Sequence, residues 1–247
     1  MLRKLFFIFA RYSGLNFLYE HFSDKKVFII GYHSVSPEPS KVSILPDLFE
    51  KQIKFLVSHG HNFIKFEDLP KIENSHLKKP TIIYFDDGFK DNILTALPIL
   101  KKYNVPATFF IVPKFMDSVG EIYMNWGDIR ELKKQGMEIG SHTYNHTVLT
   151  EAGEDVLKEE LVSSEERIEK EIGQNIEVFS YPKGRVNTQT AEAVGKAGYQ
   201  YAITTRYGVN SFGYISKNPY LLKKIAPRVY ENLADFRVRL YSFNIFR

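Results

Sequence analysis

Seven short runs, each nearly unbroken in apolar residues, recur along this chain with longer periodic segments between them. They are VFIIGY (27–32), TIIYF (81–85), ATFFIV (107–112), MEIGS (137–141), EVFSY (177–181), YAITT (201–205) and IAPRVY (225–230). A strand with one face in water alternates apolar and polar residues. A run that does not alternate has both faces buried, as in a parallel sheet. The intervening segments read as helices. Phe49, Ile53, Leu56 and Val57 share one face of 47–59, which stops at Gly60. Segment 92–103 is helical, with Pro98 placed to kink or divide it. Segments 126–135, 154–172 and 187–197 each end at a glycine. The stripe of 154–172 is Leu157, Leu161, Ile168 and Ile172, and its many acids read as a solvated outer face. Parallel neighbours need crossovers, so the alternation predicts one α/β domain, either an open doubly wound sheet or a closed barrel.

In both architectures, function gathers at the carboxyl ends of the strands. Polar residues collect at those positions here. The first run ends at His33, the second at Asp86-Asp87-Gly88, the fourth in Ser141-His142-Thr143-Tyr144-Asn145-His146, and the fifth in Tyr181-Pro182-Lys183-Gly184-Arg185; Arg228 lies in the seventh. Two adjacent carboxylates beside a core repel each other unless a cation is near. An Asp-Asp-Gly sequence also suits a turn that caps a helix, and His142 and His146 alone could be two ordinary histidines. Together, on separate strand ends, they point to an ion. The 247 residues include no cysteine, so a metal must be held by His, Asp, Glu or water. Two imidazoles and one carboxylate with open positions suit zinc or another divalent first-row metal. Asp87 would then be a ligand and Asp86 a base that takes a proton from water.

Charge and length narrow the field. A net charge of +4, without a basic stripe laced with aromatics, argues against a nucleic-acid partner. A hydrophobic content of 44% supports a core without crosslinks. The opening 1–24 reads as an amphipathic helix set apart from a domain over 25–247. Its apolar core Leu5–Ala10 is too short to span a bilayer, and no signal-peptide cleavage pattern follows. Such a helix packs on the domain, or lies on a membrane surface with Arg3, Lys4 and Arg11 near headgroups. The expectation is a cytoplasmic protein with peripheral contact at the inner membrane face through residues 1–20.

These residues resemble a known family, the polysaccharide deacetylases of the NodB-homology type, carbohydrate esterase family 4. YFDDGF is similar to the family's first motif, EIGSHTYNH to its second and FSYPKGRVN to its third. GYHSVSP and PYLLKKIAPRVY resemble the branch of poly-N-acetylglucosamine deacetylases. The resemblance covers roughly residues 27 to 230. It implies a distorted (β/α)7 barrel that removes acetyl groups from sugars of a polysaccharide or lipid-linked glycan. Carried over by position, it implies Asp86 as base, Asp87, His142 and His146 as metal ligands, the Lys183 backbone N–H as an oxyanion donor, and Tyr181 and Pro182 as walls of an acetyl pocket. Two departures stand out. Phe179 replaces a common arginine, leaving Arg185 or Arg228 to orient Asp86 or contact substrate. No histidine follows His146, where many members carry a late one that protonates the leaving amine. Lys224 and Arg228 occupy that region, and His33 is the remaining rim histidine that could contact substrate or act as the acid. Alternative readings are an O-acetyl or other amide deacylase, and a glycan-binding member without turnover.

Overall fold

A computed structural model describes residues 25–241 apart from 39, 74 and 119. The amphipathic segment expected over 1–24, and the membrane contact expected of it, lie outside the described residues. In chain order the strands are β1 (Phe28–Tyr32), β2 (Ser34–Val35), β3 (Ser43–Ile44), β4 (Asn62–Phe63), β5 (Pro80–Phe85), β6 (Ala107–Ile111), β7 (Glu138–Ser141), β8 (Val178–Ser180), β9 (Tyr201–Tyr207) and β10 (Leu222–Lys224). The helices are α1 (Pro46–Ser58), α2 (Leu69–Ile72), α3 (Leu97–Lys102), α4 (Pro113–Met116), α5 (Trp126–Lys134), α6 (Glu154–Ile172), α7 (Thr188–Lys196), α8 (Phe212–Lys217) and α9 (Leu233–Tyr241).

The main sheet runs β1-β5-β6-β7-β8-β9-β10, all parallel, with β4 paired to the start of β5. It closes on itself at a seam one residue wide. There Ile225 N donates to Ile29 O at 2.8 Å and Gly31 N donates to Ile225 O at 3.0 Å. The result is the expected distorted (β/α)7 barrel.

Strand alternation sorts the core into two layers. Ile29, Ile82, Tyr84, Phe110, Val178, Ile203 and Leu222 form the inner cluster. Their neighbours Phe28, Ile30, Ile83, Phe85, Phe109 and Phe179 pack outward against Phe49, Ile53 and Leu56 of α1 and the other helices. Two glycines make room for the inner aromatics. A Cβ on Gly31 would lie 2.2 Å from the Tyr84 hydroxyl, and one on Gly140 would lie 2.6 Å from the Phe110 ring.

The last strand differs from the sequence expectation. It spans 222–224, and only Ile225 of the expected 225–230 run touches the sheet. Pro227 has no N–H to extend the ladder, and the chain turns away with Arg228 exposed. Segment 92–103 is divided, as Pro98 requires. A π-turn over Asn92–Ala96 closes with Leu97 N donating to Asn92 O, and α3 restarts beyond it.

Candidate active site and metal centre

The inner-face periodicity continues past the strand tips. Gly31 leads to His33, Tyr84 to Asp86, Gly140 to His142, and Leu222 to Lys224. Four strands therefore send ionisable side chains into one barrel mouth. Asp86 is buried, and its Oδ2 lies 3.9 Å from His33 Nε2 and 3.8 Å from Lys224 Nζ. The Lys224 ammonium also sits over the Tyr84 ring, 5.4 Å from its centre. Asp86 Oδ1 is buried without a hydrogen-bond partner. His33 is set by its surroundings, since Asn92 Nδ2 donates to its carbonyl at 2.7 Å. Asp91 accepts from Val35 N at 3.0 Å and from the Ser34 hydroxyl at 2.5 Å, pinning the chain just beyond His33.

Asp87, His142 and His146 converge, with one ligand atom from each within 4.8 Å of the others. His142 Nε2 is 3.5 Å and His146 Nε2 3.3 Å from Asp87 Oδ1. The tautomer of His142 follows from its other nitrogen. Nδ1 lies 2.6 Å from Ser180 O, which can only accept, so Nδ1 carries the proton and Nε2 a lone pair. That lone pair faces a carboxylate oxygen that is itself buried and unpartnered. Two acceptors opposed in this way suit a cation between them. The residues thus fit a divalent metal held by two imidazoles and a carboxylate. Burial pushes the His142 pKa down, which keeps the ring neutral as a ligand must be. Burial alone would raise the Asp87 carboxyl. The contact with His146 and the neighbouring imidazoles outweigh it and hold the group at about 2, so it stays ionised.

The backbone is strained at these positions. Asp87, Thr143, His146 and Lys183 have φ of 72°, 63°, 64° and 55° without being glycine. Each such conformation costs on the order of 1–3 kcal/mol and persists only where the surroundings dictate it. Around His146 that support comes from Glu160 of α6. Its carboxylate is buried and accepts from Asn145 N (2.9 Å), Asn145 Nδ2 (2.7 Å) and the Thr147 hydroxyl (2.7 Å). The sequence reading placed the acids of this helix on a solvated face. Glu160 is the exception, and its spacing from Leu157 and Ser164 puts it on the buried stripe.

The remaining candidates are dispersed. Tyr181 packs its buried ring on Phe179, with centroids 5.1 Å apart, in the outer layer of the core. Pro182 is buried, and the Lys183 side chain is exposed on a turn in which Gly184 N donates to Tyr181 O at 2.7 Å. Arg185 pairs with Glu151 at the surface. Arg228 lies in the exposed turn after the seam, so the cation facing Asp86 is Lys224. Strand alternation was the signal that could have singled out Lys224.

The family model for polysaccharide deacetylases matches residues 73–202. The Bacillus subtilis protein YxkH, named for polysaccharide deacetylation, is 32% identical over 191 residues, covering 75% of this chain and 67% of that one. Poly-beta-1,6-N-acetyl-D-glucosamine N-deacetylase of Staphylococcus aureus is 30% identical over 192 residues, covering 71% and 65%. The chain thus spans about two thirds of the length of these relatives. The Streptococcus pyogenes deacetylase PplD, solved with acetate, superposes with a TM-score of 0.79 at 27% identity, over 88% of this chain and 99% of that one. BC0361, a polysaccharide deacetylase from Bacillus cereus, gives 0.79 at 25% identity, over 88% and 69%. With the motifs, the barrel and the family match in agreement, this chain belongs to the polysaccharide deacetylase family.

Proposed function

We propose that the protein is a metal-dependent hydrolase that removes the acetyl group from N-acetylated sugars of a polysaccharide or lipid-linked glycan. The observation that carries this reading is the opposed pair of acceptors, His142 Nε2 and Asp87 Oδ1, beside a second buried carboxylate with a free oxygen. A divalent ion at Asp87, His142 and His146, zinc or another first-row metal, would supply a Lewis acid that acidifies water and polarises the acetyl carbonyl.

The chain's own groups do the rest. Asp86 Oδ1 is the free acceptor that takes a proton from the attacking water. The new C–O bond forms at the acetyl carbonyl carbon, the C–N bond breaks, and acetate and a free amine result. His33, 3.9 Å from Asp86 and partly exposed at the rim, returns a proton to the amine nitrogen. Lys224 holds a compensating charge beside Asp86, the role the resemblance gives to an arginine. The 30% identity to an enzyme named for poly-beta-1,6-N-acetyl-D-glucosamine N-deacetylation supports an N-acetylhexosamine polymer as substrate.

Acetate release from N-acetylglucosamine oligomers tests the reading. Asp86→Asn should lower turnover by about 10²–10⁴-fold, the usual contribution of a general base, while bound metal is retained. Lys224→Met should lower turnover at unchanged metal content, and Lys224→Arg should restore most of it. Wild-type protein that binds metal but frees no acetate from any N-acetylated oligomer would refute the proposal.

A further inference from the structure

One side of the mouth is aromatic and takes no part in the chemistry above. Phe115 of α4 stacks on Tyr123, with centroids 4.3 Å apart and planes at 20°. Phe89, three residues beyond Asp86, packs on Tyr123 at 5.3 Å. Phe115 in turn reaches the His146 ring at 5.9 Å. Desolvation and then the charge of Asp87 raise the Tyr123 pKa, so its phenol lies within the field of a metal ligand.

Two observations set this cluster apart from ordinary core. Phe85, Phe109 and Phe110, only a few residues away in sequence, are 0% exposed, whereas Phe89, Phe115 and Tyr123 all keep surface in water. The cluster is also clipped to the turn that carries Asp87. Phe89 and Tyr123 form an antiparallel bridge, Met124 N donates to Gly88 O at 2.9 Å, and Lys90 N donates to Ile122 O at 2.8 Å. A group resting on Tyr123 is thereby held at a fixed position relative to the ligand triad.

We propose that Phe89, Phe115 and Tyr123 form a sugar-stacking subsite, which takes the C–H face of a pyranose ring of the acetylated chain and places its acetyl group at the triad. A β-linked hexosamine suits such a wall, because its equatorial substituents leave two flat C–H faces. A rigid, partly exposed aromatic supplies the apolar face, and the Tyr123 hydroxyl supplies a polar edge. The proposal rests on the deacetylase reading for its choice of ligand but not for its test.

The test has a binding arm and a kinetic arm. In the first, calorimetry measures the affinity of the glucosamine tetramer, a product that needs no turnover. In the second, KM and kcat are measured for the N-acetylglucosamine tetramer and for the acetyl thioester of mercaptoethanol, which has no ring. Tyr123→Ala should weaken tetramer affinity and raise its KM by about five- to tenfold, as expected for loss of one aromatic contact. It should leave kcat, metal content and thioester hydrolysis unchanged. Tyr123→Trp should retain affinity, and Phe115→Leu, which keeps Tyr123 but removes its backing, should give a smaller loss of the same kind. The subsite is overturned if the wild type does not bind the tetramer, if Tyr123→Ala binds it equally well, or if that variant loses thioester hydrolysis in parallel. Tetramer binding that depends on Tyr123 without any acetate release would instead sink the deacetylase reading and leave the subsite standing.

Discussion

Thr81 and Asp86 lie at opposite ends of strand β5, and each end of the strand has a buried histidine near it. At the foot, the Thr81 hydroxyl donates to Lys79 O at 2.8 Å and so accepts from His61 Nδ1 at 2.7 Å. His61 Nε2 then accepts from the Tyr241 hydroxyl at 2.9 Å. At the mouth, His142 has the same tautomer, with its Nδ1 given to Ser180 O, but its Nε2 meets another acceptor. The carboxylates differ in the same way. Glu138, at the foot of β7, accepts from Phe66 N, Glu67 N and the Thr108 hydroxyl. Asp86 and Asp87 each keep a buried oxygen with no partner. Burial costs a polar group the same at either end. The foot satisfies its buried groups, whereas the mouth leaves valences open for an ion and a substrate. Satisfaction of hydrogen bonds, more than burial or residue type, therefore separates His61 from His142 in this barrel.

The strongest way to break this contrast is to empty the mouth. His142→Ala and Asp87→Ala should each remove bound metal and cut acetate release by more than about 100-fold, the upper end of what an outer-sphere partner contributes. Metal content and acetate assays read both, and a variant that kept its ion would undo the assignment. A smaller effect comes from the foot. Glu138→Gln turns an amide N–H toward backbone donors and should cost about 1–3 kcal/mol in denaturant titration. Its turnover per folded molecule should match wild type, and a loss of kcat would blur the distinction. The finest probe is pH. Burial lowers the His61 pKa from 6.5 to about 3, with Lys79 and His59 adding to the effect. Between those values the unfolded chain binds a proton that the folded one refuses. The stability from neutral His61 is thus complete above pH 6.5 and falls with acidification, by up to about 1.4 kcal/mol per pH unit. His61→Gln should flatten the part of that slope which wild type owes to this residue, and unchanged slopes would show that the foot does not depend on neutral His61.

Much of this was legible in the chain. Six of the seven expected strands lie within two residues of their observed ends, because continuous apolar runs between helical segments leave few alternatives. Asp86, Asp87 and His142 could be read because they sit at the tips of such runs, and His146 because it lies four residues beyond His142. The seventh strand was displaced because Lys223 and Lys224 look like surface, while both are partly buried and their ammonium groups rest over Tyr214 and Tyr84. Glu160 was hidden among the seven other acids of its helix, and only its tertiary partners mark it. The aromatic wall was invisible for another reason. Phe89 and Tyr123 are brought together by a backbone bridge across the segment that contains α3, β6 and α4, and neither periodicity nor motif spacing encodes that pairing.

The one-residue seam has a consequence for the order in which a nascent chain becomes competent. The three residues that could hold an ion have all been synthesised by residue 146, yet Lys224 follows nearly eighty residues later, on the stave that locks the barrel shut. A half-made molecule would therefore carry the candidate ligands but lack the ammonium beside Asp86, so the proposed chemistry would wait until the ring of strands is complete.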